Sequence, residues 1–418
     1  MKTEAVRIYG KMDIRHEIVE LPEISDDEVL VRVITDGMCI STLKLVKLGQ
    51  EHKRAHSNMS ENPCMIGHEM CAVIVKVGKN RIGKYKVGDV VIAQPAMNCL
   101  NMPDSLGFTY PYCGGNTQYA IIPKETLDLE YLIKCELPAY YYGSLAEPLS
   151  CIACAFHGFF HTTGGYYELK AGIKNKGNMA VLAGAGPMGL AAIDYALHNE
   201  FKNPARLVVT DIDEARLQRA REVYSPERAK ECGVDLIYVN TAGMEDAVSE
   251  LRKLTDGEGF DDVLLLSAIP AVIEQGDKIL AANGCLNFFA GPTDSALEAK
   301  INFFNVHYAS THIVGTMGGT EVDMKEVVGL MEKGLVDPSP LVTHIGGLSS
   351  VVDTIPKLGE IGGGKKLIYN WIDLPLIALE DLEKQEDERL RHLGKIFRDG
   401  GSVWSPECER YLLENFCK

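Results

Sequence analysis

Met179 to Leu197 reads MAVLAGAGPMGLAAIDYAL: an apolar run, a glycine-rich turn, then a second apolar run with no helix breaker. Nothing else in the chain constrains the fold as tightly. Gly184-Ala185-Gly186-Pro187-Met188-Gly189 has G-x-G-x-x-G spacing where a strand ends and a helix opens. Gly184 allows the tight turn, Gly186 lets phosphates approach the backbone, and Gly189 permits close packing of helix on sheet. Pro187 and Met188 open the helix, whose N-terminus offers free N–H groups and the positive end of its dipole. RLVVTDID follows as a second strand, and Asp211 ends it about 20 residues beyond the turn, where a carboxylate meets an adenosine ribose. That carboxylate repels a 2'-phosphate, so NAD is favoured over NADP. Arg216, close by, is the residue type that would accommodate one.

The alternation continues. EARLQRAREV reads as an amphipathic helix; DDVLLLSA, GCLNFFAG and THIVGT read as short strands between helix-like segments. This predicts an α/β, doubly wound parallel sheet. The first 130 or so residues differ: EVLVRVI, MCAVIVKVG, VGDVVIAQ and TQYAIIP are β-branched runs that end in turn signals. LAEPLSCIACAFHGF reads as a buried helix, and its Cys151-x-x-Cys154 as packing. His157, His161 and His198 have no evident partners and read as structural. From Ile372, the stretches EDLEKQEDERLRHLGKIFRD and SPECERYLLENF predict an appended helical tail.

Composition excludes some function classes. A net charge of -16 argues against a nucleic-acid or anionic-membrane partner, and no apolar run approaches the roughly 20 residues of a membrane span. MKTEAVRIYG lacks the features of a signal peptide. The 12 cysteines show no framework spacing. A reduced, cytoplasmic setting is therefore expected.

Three segments supply metal-ligand chemistry: Cys39 in DGMCIST, His68 and Glu69 in IGHE, and Glu147 in SLAEPLS. A thiolate, an imidazole and carboxylates are the donors of an open catalytic zinc site. Each also has an ordinary structural reading, and spacing alone does not bring them together. Between two of these segments runs KLVKLGQEHKRAHSN, rich in positive charge on an acidic chain.

Cys39-x-Ser41, Gly67-His68-Glu69, Val87-Gly88-Asp89, Ala146-Glu147-Pro148 and the glycine turn occur in an order that resembles the zinc-dependent medium-chain alcohol dehydrogenases. The resemblance covers roughly residues 1 to 371. It implies a GroES-like β-barrel catalytic domain over 1–157 and a Rossmann NAD(P)-binding domain over 158–316. A return to the catalytic domain over 317–371 would run through LVTHIGGL and GGGKKLIY, leaving 372–418 as the helical extension. It further implies one zinc on Cys39, His68 and Glu147, with Glu69 ligating directly or through water. Ser41 would carry the substrate proton, with Lys44 or His52 next. The expected assembly is a homodimer or homotetramer. Two departures stand out. Relatives with a second, structural zinc have four closely spaced cysteines; this chain has Cys99 and Cys113, so no structural zinc is expected. Thr42 and Lys44 stand where relatives commonly carry Asp and His.

Within the family, TEAVRIYGKMDIR, GSLAEPLSC, INFFNVHYA, GGGKKLIY and WSPECERYLLE are similar to a ketose-phosphate reductase branch. The implied reaction is the reversible conversion of L-sorbose 1-phosphate to D-glucitol 6-phosphate. The basic run then acquires a role: Lys53 and Arg54, with Lys47, would hold the phosphate. The alternatives are a dehydrogenase of an unphosphorylated polyol or secondary alcohol, and a non-catalytic dinucleotide-binding redox sensor.

Overall fold

The β-branched runs of the N-terminal third become strands arranged around one hub. The computed structural model describes residues 1–56, 58–97, 104–163, 168–292 and 294–417. In chain order its first part comprises β1 (Lys2–Gly10), β2 (Asp13–Glu20), β3 (Val29–Gly37), α1 (Ile40–Leu48), β4 (Cys64–Met65), β5 (Met70–Val77), β6 (Val90–Ala93), β7 (Tyr119–Ile122), α2 (Lys124–Asp128) and β8 (Leu132–Lys134). β3 pairs antiparallel with β5 and β7. Its C-terminal end also pairs with β18 (Lys365–Tyr369), through Leu367 opposite Gly37 and Tyr369 opposite Thr35. A strand from the far end of the chain thus completes the sheet that carries the first segments of the site. The core beneath it holds Val29, Val31, Val33, Ile74, Val91 and Ile122, alternate residues of facing strands.

Helix α3 (Tyr140–Gly158) follows, with Pro148 in its interior. Pro148 has no N–H to give the preceding turn. The chain divides between Glu147 and Pro148: one unit holds Met1–Glu147, Thr320–Glu332 and Asp337–Lys418, and the other Pro148–Gly319 and Lys333–Val336. The helix read as one buried element is therefore shared. Its second half packs with the parallel sheet, where Asn287 Nδ2 donates to Ala155 O at 2.8 Å.

The second unit contains β9 (Phe160–Thr162), β10 (Leu169–Ala171), β11 (Asn178–Leu182), α4 (Pro187–His198), β12 (Arg206–Asp211), α5 (Glu214–Val223), α6 (Pro226–Glu231), β13 (Asp235–Asn240), α7 (Ala247–Lys253), β14 (Phe260–Leu265), α8 (Pro270–Ile279), β15 (Leu280–Phe288), α9 (Phe303–Tyr308) and β16 (His312–Gly315). The strands lie in the order β13-β12-β11-β14-β15-β16, all parallel. β11 is wholly buried from Met179 to Leu182, as a parallel strand covered on both faces must be. Strand order reverses at β11, the switch point at which such sheets bind ligands.

The chain then returns through α10 (Glu321–Glu332), β17 (Val342–Gly347), α11 (Val351–Thr354) and β18. The tail is more than an appended helix. β19 (Ile377–Ala378) pairs with β17, and Leu379–Lys384 forms a 3₁₀ turn. α12 (Glu388–Asp399) starts afresh because Asp387 caps it by accepting from Arg389 N. α13 (Pro406–Phe416) follows. Between these helices Trp404 is fully buried and donates to Tyr369 Oη at 3.1 Å. Glu409 on α13 is also buried; burial pushes its carboxyl from 4.5 up to about 7, against the hydrogen bonds that favour its charge.

An acid whose folded value is raised stabilises fully below its unfolded value and loses that contribution as pH rises through the folded one. Wild-type protein should therefore lose about 3 kcal/mol relative to Glu409→Gln between pH 4.5 and just above 7, and stay level beyond. Urea unfolding of both proteins across that range checks this; a constant difference would contradict it.

Candidate active site

Cys39 stands between the end of β3 and the start of α1. It is the N-cap of α1, and its Sγ accepts from Ser41 N at 3.4 Å. His68 and Glu69 lie on the link from β4 to β5. Gly67 has φ +92°, and a Cβ there would meet Asp36 Oδ2 at 2.5 Å, so the link is confined to glycine. A Cβ on Gly37 would stand 2.1 Å from Glu69 Oε2. With these glycines in place, one ligand atom each from Cys39, His68 and Glu69 lies within 4.8 Å of the others.

Each donor is oriented by a neighbour. His68 is buried, its ring 5.0 Å from that of Phe108, and its Nδ1 lies 3.3 Å from Thr42 Oγ1. Thr42, at the position where relatives carry Asp, thus still reaches the histidine, and leaves Nε2 for a cation. The backbone N–H of Glu69 donates to Asp36 Oδ1 at 2.9 Å. Glu69 Oε1 takes a hydrogen bond from Lys365 Nζ on β18. Glu69 Oε2 is buried with no partner among the described residues. Lys365 belongs to GGGKKLIY, and nothing local in that stretch marks it as the partner of Glu69. The next residue, Lys366, points the other way along the strand and donates to the carbonyls of Ile361, Gly362 and Gly364.

Burial pushes the Cys39 thiol up to about 12; Glu69 and Glu147 add to the rise, while Lys365 and the Ser41 contact oppose it. Burial works against the charge of Lys365, but Glu69 and Cys39 more than offset it. A soft thiol, an imidazole nitrogen and a carboxylate oxygen thus lie within 4.8 Å of one another, and one oxygen of that carboxylate has no partner among the described residues. That donor set fits a zinc ion, which would hold the sulfur as thiolate and satisfy Glu69 Oε2.

Glu147, half-buried on α3, is outside the 4.8 Å group, but its charge acts on Cys39, Lys365 and Arg54. The structure sorts the basic run. Arg54 is half-buried, its guanidinium 5.7 Å from the Phe108 ring and 3.2 Å from Ser105 Oγ. His52 stacks on the same ring at 5.5 Å, and its Nδ1 accepts from Arg54 N at 3.3 Å. Burial, then Arg54, Lys53 and Lys44, push His52 down to about 4, so it is neutral near pH 7. Lys44, Lys53 and Arg54 therefore gather about His52, with Phe108 shared between this cluster and His68. Lys47 is exposed in the last turn of α1, where it complements the helix dipole, and is not among the charges acting on His52.

In the second unit the glycine turn has the geometry the sequence implies. A Cβ on Gly184 would press on Val181 and Val209, and one on Gly189 would stand 1.8 Å from Gly184 O. A Cβ on Gly186 would meet nothing within 4 Å, so the open side of the turn is there. Gly186 caps α4 with Pro187 at its start and Met188 in the first turn. Asp211 is buried at the end of β12; Oδ2 accepts from Ala185 N at 3.1 Å and Oδ1 from Ile212 N at 2.8 Å. Arg216 is exposed on α5 and pairs with Asp213 at 3.5 Å. An open glycine loop, a free helix N-terminus and a carboxylate beyond it fit a dinucleotide.

Residues 25–129 match the family profile "Alcohol dehydrogenase GroES-like domain", and residues 187–333 match "Zinc-binding dehydrogenase". Mannitol-1-phosphate 5-dehydrogenase of Aliivibrio fischeri is 47% identical over 99% of this chain and 98% of its own. The chain belongs to the zinc-dependent medium-chain alcohol dehydrogenase family. L-sorbose 1-phosphate reductase of Klebsiella pneumoniae is 40% identical over 98% of this chain and 97% of its own. The crystal structure of 2R,3R-butanediol dehydrogenase from Bacillus subtilis superposes with a TM-score of 0.69 at 22% identity, covering 88% of this chain and 99% of that one. The protein is thus a zinc-dependent dehydrogenase, of a family that works with a nicotinamide cofactor. Of the two cysteines in the structural-zinc region, Cys113 is fully buried, and Cys99 lies outside the described residues. Among the described residues no helix is long and apolar enough to cross a membrane.

Lys365→Met leaves the Glu69 carboxylate buried and unpaired. In chelator-treated protein this should cost about 3–5 kcal/mol of stability, part of it regained on adding zinc. Urea midpoints with and without zinc test this, and absence of any zinc-dependent recovery counts against Glu69 facing the metal.

Proposed function

We propose that the protein interconverts a ketose phosphate and a polyol phosphate, with L-sorbose 1-phosphate and D-glucitol 6-phosphate the leading pair. The observation that carries this reading is the cluster of Lys44, Lys53 and Arg54 about His52, sharing Phe108 with His68. A phosphate dianion needs such local positive charge on a chain whose net charge is -16. Two relatives whose names specify phosphorylated sugars or polyols, at 47% and 40% identity, support the same class.

In this reading Cys39, His68 and Glu147 hold zinc, with Glu69 as the further ligand. Zinc would supply Lewis acidity at the substrate oxygen, and the nicotinamide would take or give the hydride. Arg54 and Lys53 grip the phosphate and orient the substrate. The Ser41 hydroxyl takes the proton from the reacting oxygen and passes it outward. His52, kept neutral by burial first and then by Arg54, Lys53 and Lys44, is the acceptor beyond Ser41. The N-terminus of α4 and the open side of Gly186 hold the pyrophosphate, and Asp211 binds the ribose of NAD. We further propose a homodimer or homotetramer. β16 is an edge strand, and Phe303, Phe304, Tyr308 and Ile313 on α9 and β16 are exposed.

A Lys53→Ala/Arg54→Ala variant should raise KM for sugar phosphates by roughly tenfold or more, about 1.4 kcal/mol, with little change in kcat/KM for unphosphorylated sorbitol. A substrate panel on zinc-loaded enzyme gives the result; equal losses on both substrate classes would favour the unphosphorylated-polyol reading. Wild type should bind NADH more tightly than NADPH, and Asp211→Asn should narrow that gap by about tenfold. Fluorescence titration with both nucleotides measures it, and an unchanged ratio would remove Asp211 from cofactor selection.

A further inference from the structure

The tail holds a buried carboxylate that the chemistry above does not use. Glu409 Oε2 accepts from Tyr140 N at 2.6 Å, and Oε1 accepts from Tyr141 N at 2.9 Å. These are the first two N–H groups of α3, which have no partners within their own helix. The same Oε1 accepts from Tyr369 Oη at 2.9 Å, at the last residue of β18. Trp404 Nε1 donates to that hydroxyl, and Tyr141 Oη donates to Trp404 O at 3.3 Å. One side chain thus joins three elements far apart in sequence.

Two of them carry site groups. Glu147 lies seven residues after Tyr140, two turns and about 10 Å along α3, on the same helical face. Lys365, which holds Glu69, lies four residues before Tyr369, on the same face of β18. A carboxylate bonded at once to the start of α3 and the end of β18 sets how far the helix can slide along the strand. It therefore sets where Glu147 stands relative to Lys365, Glu69 and Cys39. We infer that Glu409 is a positioning residue for the metal site, through which the C-terminal extension places Glu147. This rests on reading Cys39, His68, Glu69 and Glu147 as the zinc-binding set. Glutamine at 409 presents an NH₂ either to the N–H of Tyr140 or to the Tyr141 and Tyr369 donors, so at least one bond breaks without loss of bulk.

The test uses the full chain at pH 8, with Zn²⁺ and Co²⁺ as probes. Zinc affinity is measured by chelator competition, and the cobalt-loaded protein by its visible absorption. Wild type, Glu409→Gln, Tyr369→Phe and Glu147→Ala are compared. Leu412→Ala, a fully buried change on α13 that touches none of these hydrogen bonds, controls for general loosening of the tail. Glu409→Gln should weaken zinc binding about 10- to 100-fold and alter the cobalt spectrum; Tyr369→Phe should do so to a smaller degree and Leu412→Ala hardly at all. If Glu409→Gln does not fold, the Tyr369→Phe result decides. Wild-type zinc affinity in Glu409→Gln, or an equal loss in Leu412→Ala, overturns the inference while Glu147→Ala still reports on the site. Failure of wild type to bind zinc, or tight binding by Glu147→Ala, instead overturns the reading of the site on which it rests.

Discussion

The contact between Glu69 and Lys365 bears on everything else in the first unit. The two residues are 296 positions apart, and both are buried. Leaving a lone carboxylate at that depth is costly, so Glu69 needs a cationic partner. The partner arrives only when the chain, having built the second unit, returns and lays β18 against β3. Asp36 stands beside the pair, and burial raises its carboxyl well above the usual range, although His68 opposes the rise. Lys365 covers one oxygen of Glu69 and the other has no partner among the described residues, while Cys39 and His68 each bring a ligand atom within 4.8 Å of the carboxylate. An apolar replacement would be easier to bury, but it would leave nothing to bind a cation.

The basic cluster is organised differently. Phe108 is a shared wall, with His68 on one contact and His52 and Arg54 on others. Burial, reinforced by the cations about it, keeps His52 neutral, a state in which it can accept a proton. The glycine turn of the second unit is organised differently again, by backbone sterics at Gly184 and Gly189 and an open side at Gly186.

Much of this was legible in sequence because it depends on local rules. The turn from Gly184 to Gly189, the buried strand before it and Asp211 beyond it are set by period, spacing and glycine sterics. Cys39 was visible as a ligand type, and Thr42 as a departure from the family. What was not visible depended on long-range pairing. Lys365 carries no local signal of its partner, because a strand's period says which face a lysine takes but not what lies opposite. Proximity in sequence groups Lys47 with Lys53 and Arg54, but Lys47 lies on the exposed end of α1. His161 and His198 lacked sequence partners and found Asp262 at 3.0 Å and Asp194 at 2.8 Å. The charged helical pattern of the tail predicts an appended helix, yet Trp404 and Glu409 lie in the core.

By itself, the sequence determined the two kinds of sheet, the glycine turn and the chemical types of the candidate metal donors. Those follow from interactions among residues a few positions apart, where backbone geometry leaves few choices. The tertiary structure decided which of the 42 lysines and arginines pairs with Glu69, which side chains share the Phe108 ring, and what the last helix caps. Burial is the physical reason: the environment of a charge is made by every segment packed around it, and these segments come from opposite ends of the chain.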